Sequence, residues 1–455
     1  MSLRPYQSSA LTQIKKNFAN GLNRQLLVMP TGSGKTVVFS ELLKACHAKG
    51  IPALMVVRGR QLVDQASQRL AREGVPHGVL MANDFRYRLR EPIQVISIDT
   101  VARRKIKPKA ELVVIDECHL AVSKSYKEFL DGYQNILGVT ATPFSDAGLG
   151  HIADTIVEPV TFDQLVQDGY LVAPRYFAPS LPDLRGVKMS GDDYNQEQLG
   201  DKMSTLVGDA VEHYRRHANG RRAICFAVNI KHSHQLCDVF NSSGVRAIHA
   251  DADTSLDERR RAIVKLESGE VSVLVNVGIF GLGVDICHVD AIIMARPTQS
   301  LNLHIQQIGR GTRPYPGKSD FLVLDHAGNT LRHGFINEQR TPILKTQQVA
   351  LRIKSPTTCL LCFCIFYGPT CTSCGNVNES KMRKLEVKDG ELQEIVELTE
   401  DQKLIRYVND LKRQRKIKGY KRGWLFHELR RTHGEDIANR FYKKVPSWVK
   451  SRMVS

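Results

Sequence analysis

Short apolar runs alternate with amphipathic stretches along residues 24–143, and this alternation constrains the fold more than any other feature of the chain. Runs of this length are typical of strands buried on both faces of a parallel sheet. The helical patterns between them, such as 37–50 and 59–74, end in glycine, the usual stop of a helix. The order predicts an α/β lobe with a parallel sheet. Its expected strands are QLLVM (25–29), ALMVV (53–57), IQVISI (93–98), ELVVI (111–115) and ILGVT (136–140).

A second series of the same kind begins near residue 222. Its expected strands are 223–228, 245–250, 271–277, 291–296 and 321–325. We therefore expect a first lobe at 1–158, a connector at 159–215 and a second lobe at 216–340. After the lobes, the pattern changes to a cysteine-rich segment at 355–380 and a basic helical tail at 398–455.

The charge of the chain is strongly positive and unevenly placed. Among 455 residues, 64 are Lys or Arg and 47 are Asp or Glu, which gives a net charge of +17. The segment from Lys403 to Ser455 holds 16 basic residues and four acidic ones, a net of +12. Such a surplus favours polyanionic partners, nucleic acid first.

The sequence argues against membrane and secreted proteins. No apolar run approaches the roughly 20 residues that a bilayer-spanning helix needs. The start, MSLRPYQSSA, lacks the charged-then-apolar order of a secretory signal. We therefore expect a cytoplasmic protein without a membrane partner.

The stretch MPTGSGKT (29–36) follows an expected strand and precedes an expected helix, the context of a phosphate-binding loop. Glycines permit the tight turn, and the helix start directs its positive dipole end at the phosphates. Lys35 would neutralise the β- and γ-phosphates, and Thr36 would place its hydroxyl on Mg²⁺. Met29 departs from the strict pattern, which has glycine there. The expected ATP-binding residues of this loop are Thr31, Gly32, Ser33, Gly34, Lys35 and Thr36.

The stretch ELVVIDECHL (111–120) supplies acidic groups for the same site. Asp116 and Glu117 follow a buried strand, at the end where ligands of open α/β sheets bind. Asp116 would hold Mg²⁺ through water, and Glu117 would orient and deprotonate the attacking water. The expected cofactors are therefore ATP and Mg²⁺.

Five of the ten cysteines fall within 16 residues, and two pairs have the spacing of tetrahedral zinc ligands. The expected Zn²⁺ ligands are Cys359, Cys362, Cys371 and Cys374, with Cys364 as an alternative for one position. A redox pair or buried thiols are the other interpretations. In the tail, Trp424 either stacks on bases or belongs to a small helical core.

The DECH and TATP motifs together resemble those of the DEAD/DEAH-type helicases of superfamily 2. The other motifs of that superfamily follow in order. LRPYQ (3–7) is similar to the adenine-recognising element, which implies Gln7 as the base reader supported by Arg4 or Tyr6. NVGIFGLGVD (276–285) is similar to motif V, which implies that Gly283 and Asp285 meet the nucleotide.

QQIGRGTRP (306–314) resembles motif VI, with Gln306, Arg310 and Arg313 at the motif positions. The resemblance implies that these arginines, supplied by the second lobe, stabilise the charge on the γ-phosphoryl group. It also implies two tandem RecA-like lobes whose closure is coupled to hydrolysis. In the TATP motif, Thr140 and Thr142 would bond His119 and link the ATP state to the nucleic-acid face.

The resemblance further implies a nucleic-acid strand held by its phosphates across the tops of both lobes. Phosphate contacts carry no sequence information, so we expect sequence-tolerant, salt-dependent binding. The expected contacts in the first lobe are Arg58, Gln65, Ser97, Thr100 and Arg103.

Within the superfamily, the whole chain is most similar to RadD-type DNA helicases of bacteria or phages. The resemblance implies an ATP-dependent helicase or translocase on single-stranded, forked or branched DNA in replication, recombination or repair. Candidate partners are a single-stranded-DNA-binding protein and recombination factors. Three alternatives stay open: an RNA helicase, an ATP-gated DNA-binding module without strand separation, and the motor of a restriction enzyme whose nuclease is a separate partner.

Overall fold

The computed structural model describes both lobes with few gaps and a small part of the C-terminal region. One compact unit comprises Met1–Ile353 and Val387–Ile395, and another comprises Lys354–Glu386 and Val396–Ser455. The described residues are 3–82, 84–86, 88, 90–144, 148–178, 182–204, 207–279, 286–338, 340, 344, 357–358, 365–366, 393–395, 411, 424–425 and 427–432.

The first lobe contains a seven-stranded sheet in the order β3-β4-β2-β5-β6-β1-β7, and all of its pairs are parallel. The five expected strands are present, each within one residue of its expected ends. The three-residue strands β3 and β7 are too short to give a sequence pattern. The strands are β1 (Arg24–Val28), β2 (Ala53–Val57), β3 (Gly78–Leu80), β4 (Ile93–Ser97), β5 (Leu112–Asp116), β6 (Ile136–Thr140) and β7 (Thr155–Val157).

Helices cover both faces of this sheet because its strands are apolar on both faces. In β1, Leu27 packs with the core of α1, α2 and α3, whereas Leu26 packs with that of α4 and α5. Because all pairs are parallel, the carboxyl ends of the strands lie at one edge. The helices are α1 (Pro5–Ala19), α2 (Lys35–Ala48), α3 (Gly59–Arg72), α4 (Ile98–Arg104), α5 (Lys124–Leu130) and α6 (Phe162–Gln167).

The second lobe contains another seven-stranded sheet, in the order β12-β13-β11-β14-β15-β8-β18. Its pairs are parallel except that β18 runs antiparallel to β8. The expected strands are present and shorter by up to two residues at either end. The strands are β8 (Pro174–Ala178), β11 (Ala223–Phe226), β12 (Ala247–Ala250), β13 (Val273–Asn276), β14 (Ala291–Met294), β15 (Phe321–Asp325) and β18 (Gln393–Ile395), and a separate hairpin pairs β9 (Met189–Ser190) with β10 (Asp193–Tyr194).

The helices of the second lobe also pack on two faces of their sheet. Tyr214 and Phe240 are buried on one face, and Leu266 and Ile308 on the other. The expected fold, α/β with two parallel-sheet lobes, is confirmed. The helices are α7 (Gln196–Met203), α8 (Val207–His217), α9 (Ile230–Ser242), α10 (Leu256–Glu267), α11 (Leu301–Ile308) and α12 (Asn329–His333).

The structure differs from the expected connector at 159–215. β8 pairs with β15 inside the second sheet, and α8 packs on the same lobe. The second lobe therefore takes in part of the expected connector. The sequence pattern did not show this because β8 (PRYFA) begins with proline and arginine and lacks a continuous apolar run.

In the other compact unit, few residues are described. β16 (Thr357–Thr358) pairs antiparallel with β17 (Ile365–Phe366), and residues 427–432 are helical. Leu411, Leu425 and Leu429 are buried. The five clustered cysteines lie outside the described residues, so the zinc site stays a prediction. Across the described part of the chain, no helix is both long and apolar enough to cross a membrane.

Candidate nucleotide site between the lobes

The loop between β1 and α2 has the backbone conformation of a phosphate-binding loop. Gly32 (φ 85°) and Gly34 (φ 83°) both lie in the left-handed region that favours glycine. A Cβ atom on Gly34 would lie 2.5 Å from Nε2 of Gln7, so the glycine also permits close packing. Lys35 begins α2, and its Nζ donates to the carbonyls of Met29 and Pro30 at 3.3 Å each. The loop thus brings the N-terminus of α2 and a lysine close together, an arrangement that suits phosphate binding.

Asp116 and Glu117 lie opposite that lysine, at the carboxyl end of β5. Burial and the charge of Glu117 raise the pKa of Asp116, whereas Arg69 and Lys35 lower it. The backbone of Glu117 has φ 47°, which is uncommon for a residue other than glycine. Its Oε2 is buried and accepts no hydrogen bond from the described residues. An acidic pair with an unsatisfied buried oxygen fits a cation and a water as ligands.

Arg69 is a member of this site that the sequence did not indicate. It lies in α3, and its guanidinium contacts Oδ2 of Asp116 at 3.1 Å. The other oxygen of Asp116 accepts from the backbone N–H of Glu117 at 3.0 Å. Arg69 is one arginine among several in α3, and only the tertiary structure brings it to the acidic pair.

The N-terminal element supports the loop from behind. The Tyr6 hydroxyl donates to the carbonyl of Ser33 at 2.7 Å, and Nε2 of Gln7 donates to the same carbonyl at 3.2 Å. Oε1 of Gln7 accepts from the backbone N–H of Arg4 at 3.0 Å. The Arg4 guanidinium lies 4.5 Å from the ring centroid of Tyr170, a contact that the sequence did not indicate. These contacts position the loop, and the base-reading role of Gln7 stays a prediction.

His119 connects the acidic pair to the second lobe. Its Nδ1 lies 2.9 Å from Oγ1 of Thr140 and 3.4 Å from Oγ1 of Thr142, the two expected partners. Its Nε2 lies 3.3 Å from Nε2 of Gln306. Burial lowers the pKa of His119 to about 4, so the ring is neutral at pH 7. A neutral ring with its hydrogen on Nδ1 donates to Thr140 and accepts from the Gln306 amide.

The two motif VI arginines have different surroundings. Arg310 is buried at 7% exposure. Burial is the main cause that lowers the pKa of Lys35, and the charges of Arg69 and Arg310 lower it further. Arg313 donates from Nη1 to the carbonyl of Ile286 at 3.0 Å. The charge of Arg310 is therefore within electrostatic range of the lysine, whereas Arg313 has a hydrogen bond within the second lobe. Gly283 and Asp285 lie outside the described residues.

The second lobe approaches the loop closely at one glycine. A Cβ atom on Gly309 would lie 2.5 Å from Cγ2 of Thr31 and 2.7 Å from its Cβ. The carbonyl of Thr312 accepts from the backbone N–H of Val172 at 2.8 Å. A cavity of about 530 Å³ remains between the lobes, lined by Thr31, Phe144 and Ile305 among others.

We expect Gly309→Ala to slow ATP hydrolysis by roughly five- to 150-fold, because an overpacked contact costs about 1–3 kcal/mol. The added methyl group would separate Arg310 from the loop without changing a charged group. Steady-state ATPase assays and thermal melting measure the two effects. The control is Gly208→Ala, since a Cβ atom there meets nothing within 4 Å. Full activity of Gly309→Ala would mean that the close approach is not needed.

The five expected phosphate contacts are not equally available. Arg58 is exposed and 3.4 Å from Asp99, and Arg103 is exposed. Ser97 and Thr100 are buried at 3% and 8% exposure, and Oγ1 of Thr100 accepts from the backbone N–H of Ala82 at 3.3 Å. Oε1 of Gln65 is buried. The arginines are therefore the better candidates for phosphate binding.

Two family models match the lobes described above. The first, "Type III restriction enzyme, res subunit", matches residues 1–145, and the second, "Helicase conserved C-terminal domain", matches residues 203–314. The chain thus matches a res-subunit domain over its first lobe and a helicase C-terminal domain over its second, with homology to superfamily 2 helicases.

Curated relatives agree with these domains. A 51.5 kDa protein of Lactococcus phage (isolate 7-9) is 29% identical, over 68% of this chain and 67% of the relative. The protein of Saccharomyces cerevisiae named as ATP-dependent helicase IRC3 is 29% identical, over 72% of this chain and 51% of the relative. The chain spans about half to two thirds of the length of these relatives.

Solved structures share the fold. A fragment described as an HsdR subunit of a type I restriction enzyme from Vibrio vulnificus has a TM-score of 0.58 at 17% identity, over 76% of this chain and 67% of that one. The Type ISP restriction-modification enzyme LlaBIII, bound to DNA, has a TM-score of 0.52 at 16% identity, over 73% and 28%. The two lobes are therefore RecA-like.

Proposed function

We propose that this chain is a DNA-stimulated ATPase that works as a helicase or branched-DNA translocase. One observation carries the proposal: His119 of the DECH motif contacts both Thr140 of its own lobe and Gln306 of the second lobe. A buried histidine shared by two lobes ties the acidic pair to lobe movement. An ATPase built only to hydrolyse ATP needs no such connection.

The site residues divide the chemistry among them. Lys35 and the loop N–H groups hold the phosphates, and Arg310 stabilises the charge that develops on the γ-phosphoryl group. Glu117 accepts a proton from the attacking water, for which its unsatisfied oxygen is available. Asp116 and Thr36 would hold Mg²⁺, which neutralises phosphate charge when bound. Arg69 would fix the carboxylate of Asp116 in one orientation.

Lobe closure couples this chemistry to movement. Arg310 and Gln306 belong to the second lobe, so hydrolysis needs that lobe in contact with the loop. Nucleic acid that bridges the two lobes would favour the same closed arrangement. Stimulation of hydrolysis by nucleic acid follows from this linkage.

DNA is the substrate that the names of the relatives favour. One relative, 20% identical over 66% of this chain, is named as the ATP-dependent DNA helicase uvsW of Enterobacteria phage T4. The surplus of basic residues suits DNA and RNA equally, because both are polyanions. The similarity to RadD-type helicases and a role in recombination or repair are part of the proposal. Zinc at the cysteine cluster stays a prediction from spacing.

The experiment that tests the function compares ATP hydrolysis with single-stranded, forked and four-way DNA and with single-stranded RNA. We expect stimulation by DNA and strand displacement from the forked substrate. If RNA alone stimulated hydrolysis, the substrate would be RNA and not DNA. Hydrolysis without any stimulation would contradict the proposal as a whole.

A second candidate is the double-strand-translocating motor of a restriction-type complex. It is favoured by the match to the res subunit model and by a relative named as the EcoAI endonuclease subunit, 25% identical over 71% of this chain. Displacement of a third strand from a triplex, without separation of the duplex, would identify such a translocase. Separation of the duplex would favour the helicase.

A further inference from the structure

Phe85 has a solvent-exposed aromatic side chain. It lies in the loop between β3 and β4 and is 94% exposed. Among the described residues, the other large apolar side chains that are exposed are all aliphatic, and none exceeds 63%. Exposure of a whole phenyl ring is unfavourable in water, so it suggests a ligand for that ring.

The loop that carries Phe85 is fixed at its base. Nε of Arg86 donates to Oδ1 of Asp84 at 2.8 Å, and a second nitrogen of the same guanidinium pairs with Asp64 of α3. The backbone N–H of Ala82 donates to Thr100 of α4. The ring is therefore presented to solvent on an anchored loop.

The position of the loop follows from the sheet order. β3 is the outermost strand of the first sheet, and its neighbours are β4 and then β2. The loop leaves the carboxyl end of β3, the same side at which Arg58 follows β2 and Ser97 ends β4. Phe85 consequently lies at the outer end of the expected phosphate track.

The surroundings of the ring are charged. The Arg86 guanidinium carbon lies 5.9 Å from the centroid of the Phe85 ring, and Arg88 and Arg90 are exposed in the same loop. An apolar protein partner would need a larger contiguous apolar patch. One aromatic face among arginines suits an unpaired base with its phosphates, because every base offers a π-face and every linkage a negative charge.

We propose that Phe85 stacks on a base of single-stranded DNA at the outer end of the track in the first lobe. The proposal rests on the function proposed above and adds a base contact to a track otherwise made of phosphate contacts. The ring stacks on any base, so the contact is sequence-tolerant. Arg88 and Arg90, which are exposed in the same loop, offer positive charge to the adjoining phosphates, whereas Arg86 is held by Asp84 and Asp64.

The test compares a labelled oligo-dT with a matched abasic oligonucleotide of the same length, both titrated with the full-length protein by fluorescence anisotropy. We expect Phe85→Ala to weaken oligo-dT binding by about five- to 150-fold and to leave abasic binding unchanged. Phe85→Trp should retain the affinity for oligo-dT, and its emission should be quenched by oligo-dT only. Leu256→Ala, at a 63% exposed position on α10, is the matched control and should change neither affinity.

Two results would overturn the stacking proposal. One is oligo-dT affinity of Phe85→Ala equal to that of the wild-type protein. The other is an equal loss for both oligonucleotides, which would assign the ring to the backbone or the fold. Failure of the proposed function looks different, since oligo-dT would then not stimulate ATP hydrolysis by the wild-type protein, whatever its affinity. Thermal melting of each variant verifies that the fold is retained.

Discussion

Lys35→Ala should reduce DNA-stimulated ATP hydrolysis by about 10²–10³-fold, the effect of removing one preorganised group that stabilises transition-state charge. The lysine begins α2 and lies within reach of the charges of Asp116 and Glu117. The substitution removes the whole butylammonium side chain and with it the positive charge beside the phosphates. A coupled assay for ADP release, with and without single-stranded DNA, measures the loss.

Lys44→Ala is the matched control for this prediction. Lys44 lies on the same helix, its side chain is 43% exposed, and it pairs with Glu41 at 2.8 Å. It should hydrolyse ATP like the wild-type protein, because surface ion pairs contribute little. If Lys35→Ala kept full DNA-stimulated hydrolysis, the nucleotide site would lie elsewhere and the proposed function would lose its basis.

Arg310→Ala should have the larger effect, about 10³–10⁵-fold on the rate of hydrolysis, the range for an arginine supplied across a cleft. Lys35 also holds the phosphates of bound ATP, whereas Arg310 acts mainly on charge that develops in the transition state, so ATP binding by Arg310→Ala should change little. Single-turnover hydrolysis and equilibrium binding of a fluorescent ATP analogue separate the two quantities. Arg261→Ala, at an exposed position of α10, controls for loss of a positive charge in the same lobe.

Arg313 gives a second comparison. Since it donates to the carbonyl of Ile286, its removal should destabilise the second lobe as well as slow hydrolysis. Arg310→Ala should lower the melting temperature less than Arg313→Ala. The opposite order would mean that the two motif VI arginines have exchanged roles.

The architecture was largely predictable because its signals are local. β2 is an unbroken apolar run, β5 is apolar up to Asp116, and the loop at 29–36 has glycines where the backbone has positive φ. A strand buried on both faces requires consecutive apolar residues, and a left-handed turn requires glycine, so both can be read from a short stretch of sequence. The same holds for His119, Thr140 and Thr142, which the motif order placed and the structure brings together.

Contacts between distant segments were less predictable. The pairing of Arg69 with Asp116 and the stacking of Arg4 on Tyr170 join residues more than 45 positions apart. Either arginine could equally have been a solvated surface group. The packing of Gly309 on Thr31 depends on how the second lobe lies against the first. Such contacts depend on tertiary geometry, and a single sequence carries no record of it.

The last strand of the second sheet has a practical consequence. The backbone of β18 covers one side of β8, although it is contributed by residues 393–395, far beyond the helicase domains. A truncated protein that stops near residue 340 would leave the N–H and C=O groups of β8 unpaired along a free margin. An unpaired edge strand can form hydrogen bonds with a strand of another molecule. A shortened chain would therefore be prone to aggregate, whereas an expression boundary after residue 395 keeps β18 paired with β8.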